Sequence, residues 1–193
     1  MKTIKFKTAL TVLITNILFA TQIFFAQSNE SIKNEPTFKN SIDFSPMSPM
    51  MNIYAVQYSY SFDSYNDLIL GVAYMSIPYE NVGRTHASSL EFGYRRNFGY
   101  GIHAEYTVYP MYDNFYEENK NEYFNGIDIW NEFRLGYRYD FEISDVPFYV
   151  NAQLPFGFAL YSQNKPQSFK DKINEGDNKY FYKAVIVNVG IRF

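Results

Sequence analysis

Apolar residues recur at every second position over long runs of this chain, and that pattern leaves few folds open. The clearest run is Phe148, Val150, Ala152, Leu154, Phe156, Phe158 and Leu160, whose alternates are Tyr149, Asn151, Gln153, Pro155, Gly157, Ala159 and Tyr161. Successive side chains of a strand point to opposite faces, so such a run predicts a strand with one apolar and one polar face. Residues 54–62, 68–75, 89–95, 102–109, 132–139 and 185–193 repeat the rule. Pro155 in mid-run predicts a bulge, because Pro cannot donate to a ladder.

The two ends of the sequence differ from this body. Lys2, Lys5 and Lys7 precede a largely apolar stretch from Ala9 to Phe25, and small Ala26 stands before Gln27. This is the pattern of a secretory signal peptide over 1–26. Residues 27–36 are polar and predict a disordered linker, which leaves 37–193 for one domain. Removing three lysines from 17 basic residues leaves 14 against 20 acids, a net charge of −6. An acidic chain without a basic run argues against nucleic acid as a partner. With no Cys, neither disulfides nor thiolate metal sites can hold it together, so stability must come from the sheet itself.

Alternation is shared by soluble and membrane-embedded closed sheets; what differs is where the apolar face points. Here the polar alternates are rich in Gly, Ala and Ser, which suits a crowded narrow interior. The 19 Tyr and 19 Phe gather towards strand ends, as interfacial girdles do. Export together with this pattern predicts an all-β fold: a closed, antiparallel, eight-stranded, up-and-down transmembrane β-barrel of the cell outer membrane. Seven strands are evident, and closure takes an even number. The links 63–66, 97–100 and 142–147 are short, whereas 77–87, 111–126 and 162–178 are long and polar. Short links predict periplasmic turns and long links extracellular loops. That alternation requires a rising strand before residue 54, and 37–44 is the candidate, with Pro46 and Pro49 in the connection.

The run Val185-x-Val187-x-Val189-x-Ile191-x-Phe193 resembles the terminal insertion signal of Gram-negative outer-membrane barrels. The body of the chain is similar in size and strand count to OmpA/OmpX-type barrels, and to uncharacterised small barrel proteins of Bacteroidetes-type bacteria. The resemblance implies that the barrel-assembly machinery reads the last strand, and that outer-membrane lipid surrounds the sheet. It implies no activity.

Several charged residues share the polar parity: Glu91, Arg95, His103, Glu105, Glu132, Arg134, Arg138 and Arg192. In a narrow interior they must pair, because an unpaired buried charge is costly. The expectation is a lumen charge network that replaces an apolar core, with Arg95 and His103 as neighbours across a hairpin. A narrow pore or proton path is the competing use of the same residues. His86-x-Ser88 resembles the His-x-Ser pair of outer-membrane lipid A deacylases, with Glu80 a conceivable acid; Ser89 stands where that family has Asn. Gly99-x-Gly101-x-x-Ala104 fits a dinucleotide fingerprint in spacing, but no helix pattern follows it and a hairpin turn explains it better. Two His and no Cys predict no metal site and no cofactor. The aromatic and acidic segment 111–126 predicts a solvated loop, with a surface for a protein or glycan as the sharper alternative. The expectation is thus a non-catalytic barrel with a structural or surface-interaction role, and a lipid-modifying hydrolase or a narrow pore as alternatives.

Overall fold

A computed structural model describes residues 36–175, 179–182 and 184–193. The expected signal peptide and all of the expected linker but Pro36 lie outside the described residues. Among the described residues the chain is all-β apart from one short helix and one 3-10 turn. In order it forms β1 (Asn40–Phe44), a 3-10 turn (Ser48–Met51), β2 (Ile53–Ser61), β3 (Asn66–Tyr79), β4 (Gly83–Gly99) and β5 (Ile102–Glu117). Then come β6 (Glu122–Ile143), β7 (Val146–Ser162), α1 (Gln167–Asn174), β8 (Tyr180–Phe181) and β9 (Ile186–Arg192).

Every pairing is antiparallel, and consecutive strands from β1 to β7 are neighbours. β9 pairs with β7 through Phe148↔Ile191 to Gln153↔Ile186 and with β1 through Ser41↔Arg192 to Phe44↔Val189. Eight strands therefore form a ring, and two-residue β8 adds to β7 at Gly157 and Phe158. The eighth strand lies within the segment expected for it, and reciprocal Asn40 and Phe193 backbone hydrogen bonds of 2.9 Å extend its closing ladder.

Turn chemistry fixes the end that carries the short links. Ser144 and Asp145 both have positive φ (51° and 64°), as the two-residue hairpin turn matching strand twist requires. Tyr100 (φ 52°) and Gly101 (φ 81°) do the same between β4 and β5. At the opposite end the structure corrects two expected loops. Most of 77–87 and 111–126 is strand: the β3–β4 ladder runs to Tyr79↔Gly83 and the β5–β6 ladder to Glu117↔Glu122. The ladder is built by backbone groups, so polar residues on both faces do not end it. The third, 162–178, contains α1. Strands β3–β7 consequently rise beyond short β9, β1 and β2, and α1 lies at that taller end.

The bulge is displaced from Pro155. Arg134↔Pro155 is an ordinary pair, while the register shifts between Ile129↔Tyr161 and Trp130↔Ala159, leaving Leu160 unpaired. On the other edge of β7, β9 stops at Gln153 and β8 begins at Gly157. Pro155 thus falls where the ladder on that edge lapses, and the missing donor is not needed there.

The polarity of the two faces is inverted relative to a soluble domain. Val72, Leu135 and Leu154 are 57–59% exposed, with Val56, Leu90, Phe92, Phe133 and Phe156 like them. Arg95, Glu105 and Arg134 are 0%, 3% and 8% exposed. The ring is filled with charge and amide, and its outside is apolar.

Candidate functional site

Glu105 is the centre of the interior. Register places it opposite Arg95 on β4 and Arg134 on β6, so two guanidiniums approach it from opposite sides. Arg95 donates to its Oε2 through Nε at 2.9 Å, and Arg134 donates to Oε1 at 3.0 Å. Gln153 Nε2 from β7 donates to Oε2 at 3.0 Å. One carboxylate thereby joins β4, β6 and β7 to its own strand across the ring. Hydrogen bonds between ionised partners are the strong ones, and here water is excluded.

Arg134 extends the network. It donates to Glu132 Oε2 at 2.8 Å and lies 3.7 Å from Glu91 Oε1. It also donates to the Tyr109 hydroxyl, whose proton goes to Glu91 Oε1 at 2.6 Å. Trp130 Nε1 caps the other oxygen of Glu132 at 2.9 Å. Arg95 reaches Asp67 at 3.6 Å, and Ser61 Oγ donates to Asp67 at 2.8 Å. Glu91, Arg95, Glu105, Glu132 and Arg134 are therefore brought together. Asp67, Tyr109, Gln153 and Trp130 complete the cluster; Asp67 is a charged residue of the polar parity, opposite Arg95 and just before the 68–75 run, and the other three are neutral. Tyr109 and Gln153 do carry that parity, and a search for every polar residue sharing it would find them.

The remaining expected members lie apart. His103 is buried but faces Asn97, not Arg95, across the hairpin. Arg95 and His103 are neighbours across the hairpin diagonally and not as a facing pair: the turn falls at Tyr100 and Gly101, the register shifts between Asn97 and Gly99, and Arg95 faces Glu105. The His103 ring sits 3.3 Å from Gln153 Nε2, over Gly136, where a Cβ would strike the imidazole. Arg138 and Arg192 form a separate group near the short turns, sharing Asp140 at 3.3 and 3.6 Å. Arg138 lies over the Tyr149 ring and Arg192 over Phe38.

A third interior contact locks the closing strands. Tyr149 on β7 reaches past β9 and donates to Asp43 Oδ2 on β1 at 2.5 Å. Gly190 of β9 allows this, because a Cβ there would overlap the phenol ring and the Asp43 side chain.

The terminal residues Val187, Val189, Ile191 and Phe193 share the outer parity of β9, and Val185 precedes that strand. His86 and Ser88 also face outward, on β4; the His86 ring is 3.1 Å from the Tyr74 hydroxyl, and Ser88 lines a lateral groove of about 950 Å³ with Tyr54, Val72, Leu90 and Tyr112. Glu80 is exposed in the β3–β4 turn. Gly99 and Gly101 belong to a hairpin and not to a strand–helix junction. Among the described residues no three His, Asp or Glu are grouped to hold a metal ion.

No family model matches the chain, and no curated protein or solved structure matches it either.

Proposed function

We propose that this chain is a small integral β-barrel of a bacterial outer membrane, with a structural or surface-interaction role and no catalysis. The observation that carries this reading is the inverted polarity: buried ions inside the ring and exposed Val, Leu, Phe and Tyr around it. In water that belt would leave far more contiguous apolar surface uncovered than soluble monomers tolerate. In lipid the same belt is solvated, while a closed ring leaves no backbone edge in hydrocarbon. Charges that would be ruinous on the outside are paired within.

The interior favours a filled plug over a pore. Around Glu105, the side chains of Arg95, Arg134, Tyr109 and Gln153 are linked to one another inside the ring, and none is more than 8% exposed. Ions crossing there would have to break the pairs around Glu105.

Expression in a Gram-negative host tests the reading. The expected result is recovery in the outer-membrane fraction as a band whose gel mobility changes on boiling, with lipid composition equal with and without the gene. Recovery as a soluble periplasmic protein would overturn the membrane assignment. A gene-dependent loss of acyl chains from lipid would instead select the hydrolase centred on His86 and Ser88.

A further inference from the structure

At the taller end, above the Glu105 network, a lysine is buried in a place built from the sheet. Lys165, in the link between β7 and α1, has a side chain only 2% exposed. Its ammonium contacts Asp113 of β5 and lies 3.0 Å from Asp128 Oδ2 of β6. It stands 5.8 Å from the Phe115 ring centroid and 5.1 Å from that of Phe169 on α1. Thr85 of β4 donates to Asp113 Oδ2 at 3.3 Å. Burying a lysine forfeits hydration and rotamer freedom, and is tolerated only where the charge is well matched.

The parts divide into two sets. Asp113, Asp128, Thr85 and Phe115 belong to paired strands and stay where the ladder puts them. Lys165 and Phe169 belong to the covering segment, whose start is tied to β6 by the Gln163 N–H to the Ile127 carbonyl at 3.1 Å and by Asn164 Nδ2 to the Asn125 carbonyl at 2.9 Å. Phe169 meets Tyr79 and Phe115 edge-on at 5.0 Å each, and Ser168 donates to Glu117 at 2.5 Å. The match is also incomplete. Among the described residues Asp113 Oδ1 is buried and without a hydrogen-bond partner, although an ammonium has three N–H donors. The carboxylate of Asp113 therefore keeps unused acceptor capacity beside the Lys165 ammonium.

We propose that Asp113, Asp128 and Phe115 form a site for a primary ammonium ion, that the chain fills it with its own Lys165, and that α1 is a cap latched by this occupancy. The carboxylates accept the N–H groups, and the Phe115 face takes the charge. The class of free ligand is accordingly a short, unbranched primary alkylammonium.

The experiment uses Lys165→Ala in the full chain, purified in detergent, with propylammonium as the probe; it restores the three carbons and the nitrogen that the substitution removes. Backbone hydrogen exchange over 167–174 reports the cap. Without amine, exchange there is expected to rise at least about tenfold, because a buried ion pair is broken. Propylammonium should restore protection saturably, and tetramethylammonium, which has the charge but no N–H, should not. Adding Asp113→Asn to Lys165→Ala should abolish the restoration. Equal effects of both ions would show screening only and overturn the site; unchanged exchange in Lys165→Ala would overturn the latch. Should Lys165→Ala not refold alone, its refolding with propylammonium and not with tetramethylammonium supports the site equally, and refolding with neither overturns it. The Lys165→Met variant, which keeps the stem without the charge, should also loosen the cap but gain nothing from the amine; full protection in it would assign the latch to packing.

Discussion

Replacing Arg134 with Leu is the sharpest probe of what fills the ring. The wild-type guanidinium holds Glu105 at 3.0 Å and Glu132 at 2.8 Å, with Glu91 3.7 Å away. After the substitution Glu105 keeps Arg95 and Gln153. Among the described residues Glu132 then keeps the Trp130 N–H, and Glu91 the Tyr109 hydroxyl. Removing one partner of a buried pair costs about 3–5 kcal/mol. That corresponds to roughly two to three and a half orders of magnitude in the folding equilibrium. The assay is reversible guanidinium unfolding in lipid vesicles, followed by Trp130 fluorescence and by the boiled and unboiled gel bands. A compensated variant separates charge imbalance from lost contacts: adding Glu91→Gln and Glu132→Gln to Arg134→Leu removes both stranded carboxylates and should recover more than half of the loss. An Arg134→Leu protein as stable as the parent, or a compensated variant no better than the single one, would refute the claim that paired charge holds the interior.

Three further outcomes are expected. Leu135→Lys, on the outer face of β6, should cost roughly 2–4 kcal/mol in vesicles if the residue lies near the bilayer midplane. At an exposed position of a water-soluble ring the same change should fall within about 0.5 kcal/mol, so guanidinium midpoints distinguish the two environments. Tyr149→Phe, which leaves Asp43 Oδ2 without its donor, should cost about 1–3 kcal/mol and show as a lowered midpoint with the ring still closing. Glu117 lies at the top of β5, beside the turn to β6, where the Ser168 hydroxyl and the Lys120 ammonium hold its carboxyl below the usual carboxylate range. A depressed folded-state value means its contribution is present above that range and disappears as pH falls through it. Exchange over α1 in Glu117→Gln should therefore exceed that of the parent at neutral pH, and the two should converge in acid.

The ring's faces are legible in the sequence because strand parity is a rigid relation: Glu91, Glu105 and Arg134 share it, and so do Leu90, Val108 and Phe133 on the other side. Register is less legible. Parity alone lets Arg95 meet His103, but where Tyr100 and Gly101 turn decides which pair faces which, and the actual turn gives Arg95 to Glu105. The length of β3–β6 is hidden for a different reason. Above the apolar belt both faces become polar, as in Arg84, Thr85, His86 and Ser88, so alternation fades while the backbone ladder continues to Gly83.

The cap is the least legible part, for reasons that follow from its composition. Helix α1 has eight residues, with Phe169 and Ile173 as its apolar members. That is too short and too polar a helix to be stable or conspicuous alone. What holds it comes from far earlier in the sequence: Tyr79 and Thr85 near the β3–β4 turn, Asp113, Phe115 and Glu117 on β5. These same residues lie where the strands rise past the belt. A sheet that ended at the belt would have no wall for Asp113 and Phe115, and Lys165 would be left in solvent. The tall strands and the buried lysine are thus one feature: the extension of β3–β6 supplies a rigid acidic and aromatic face, and the link after β7 supplies the cation that occupies it.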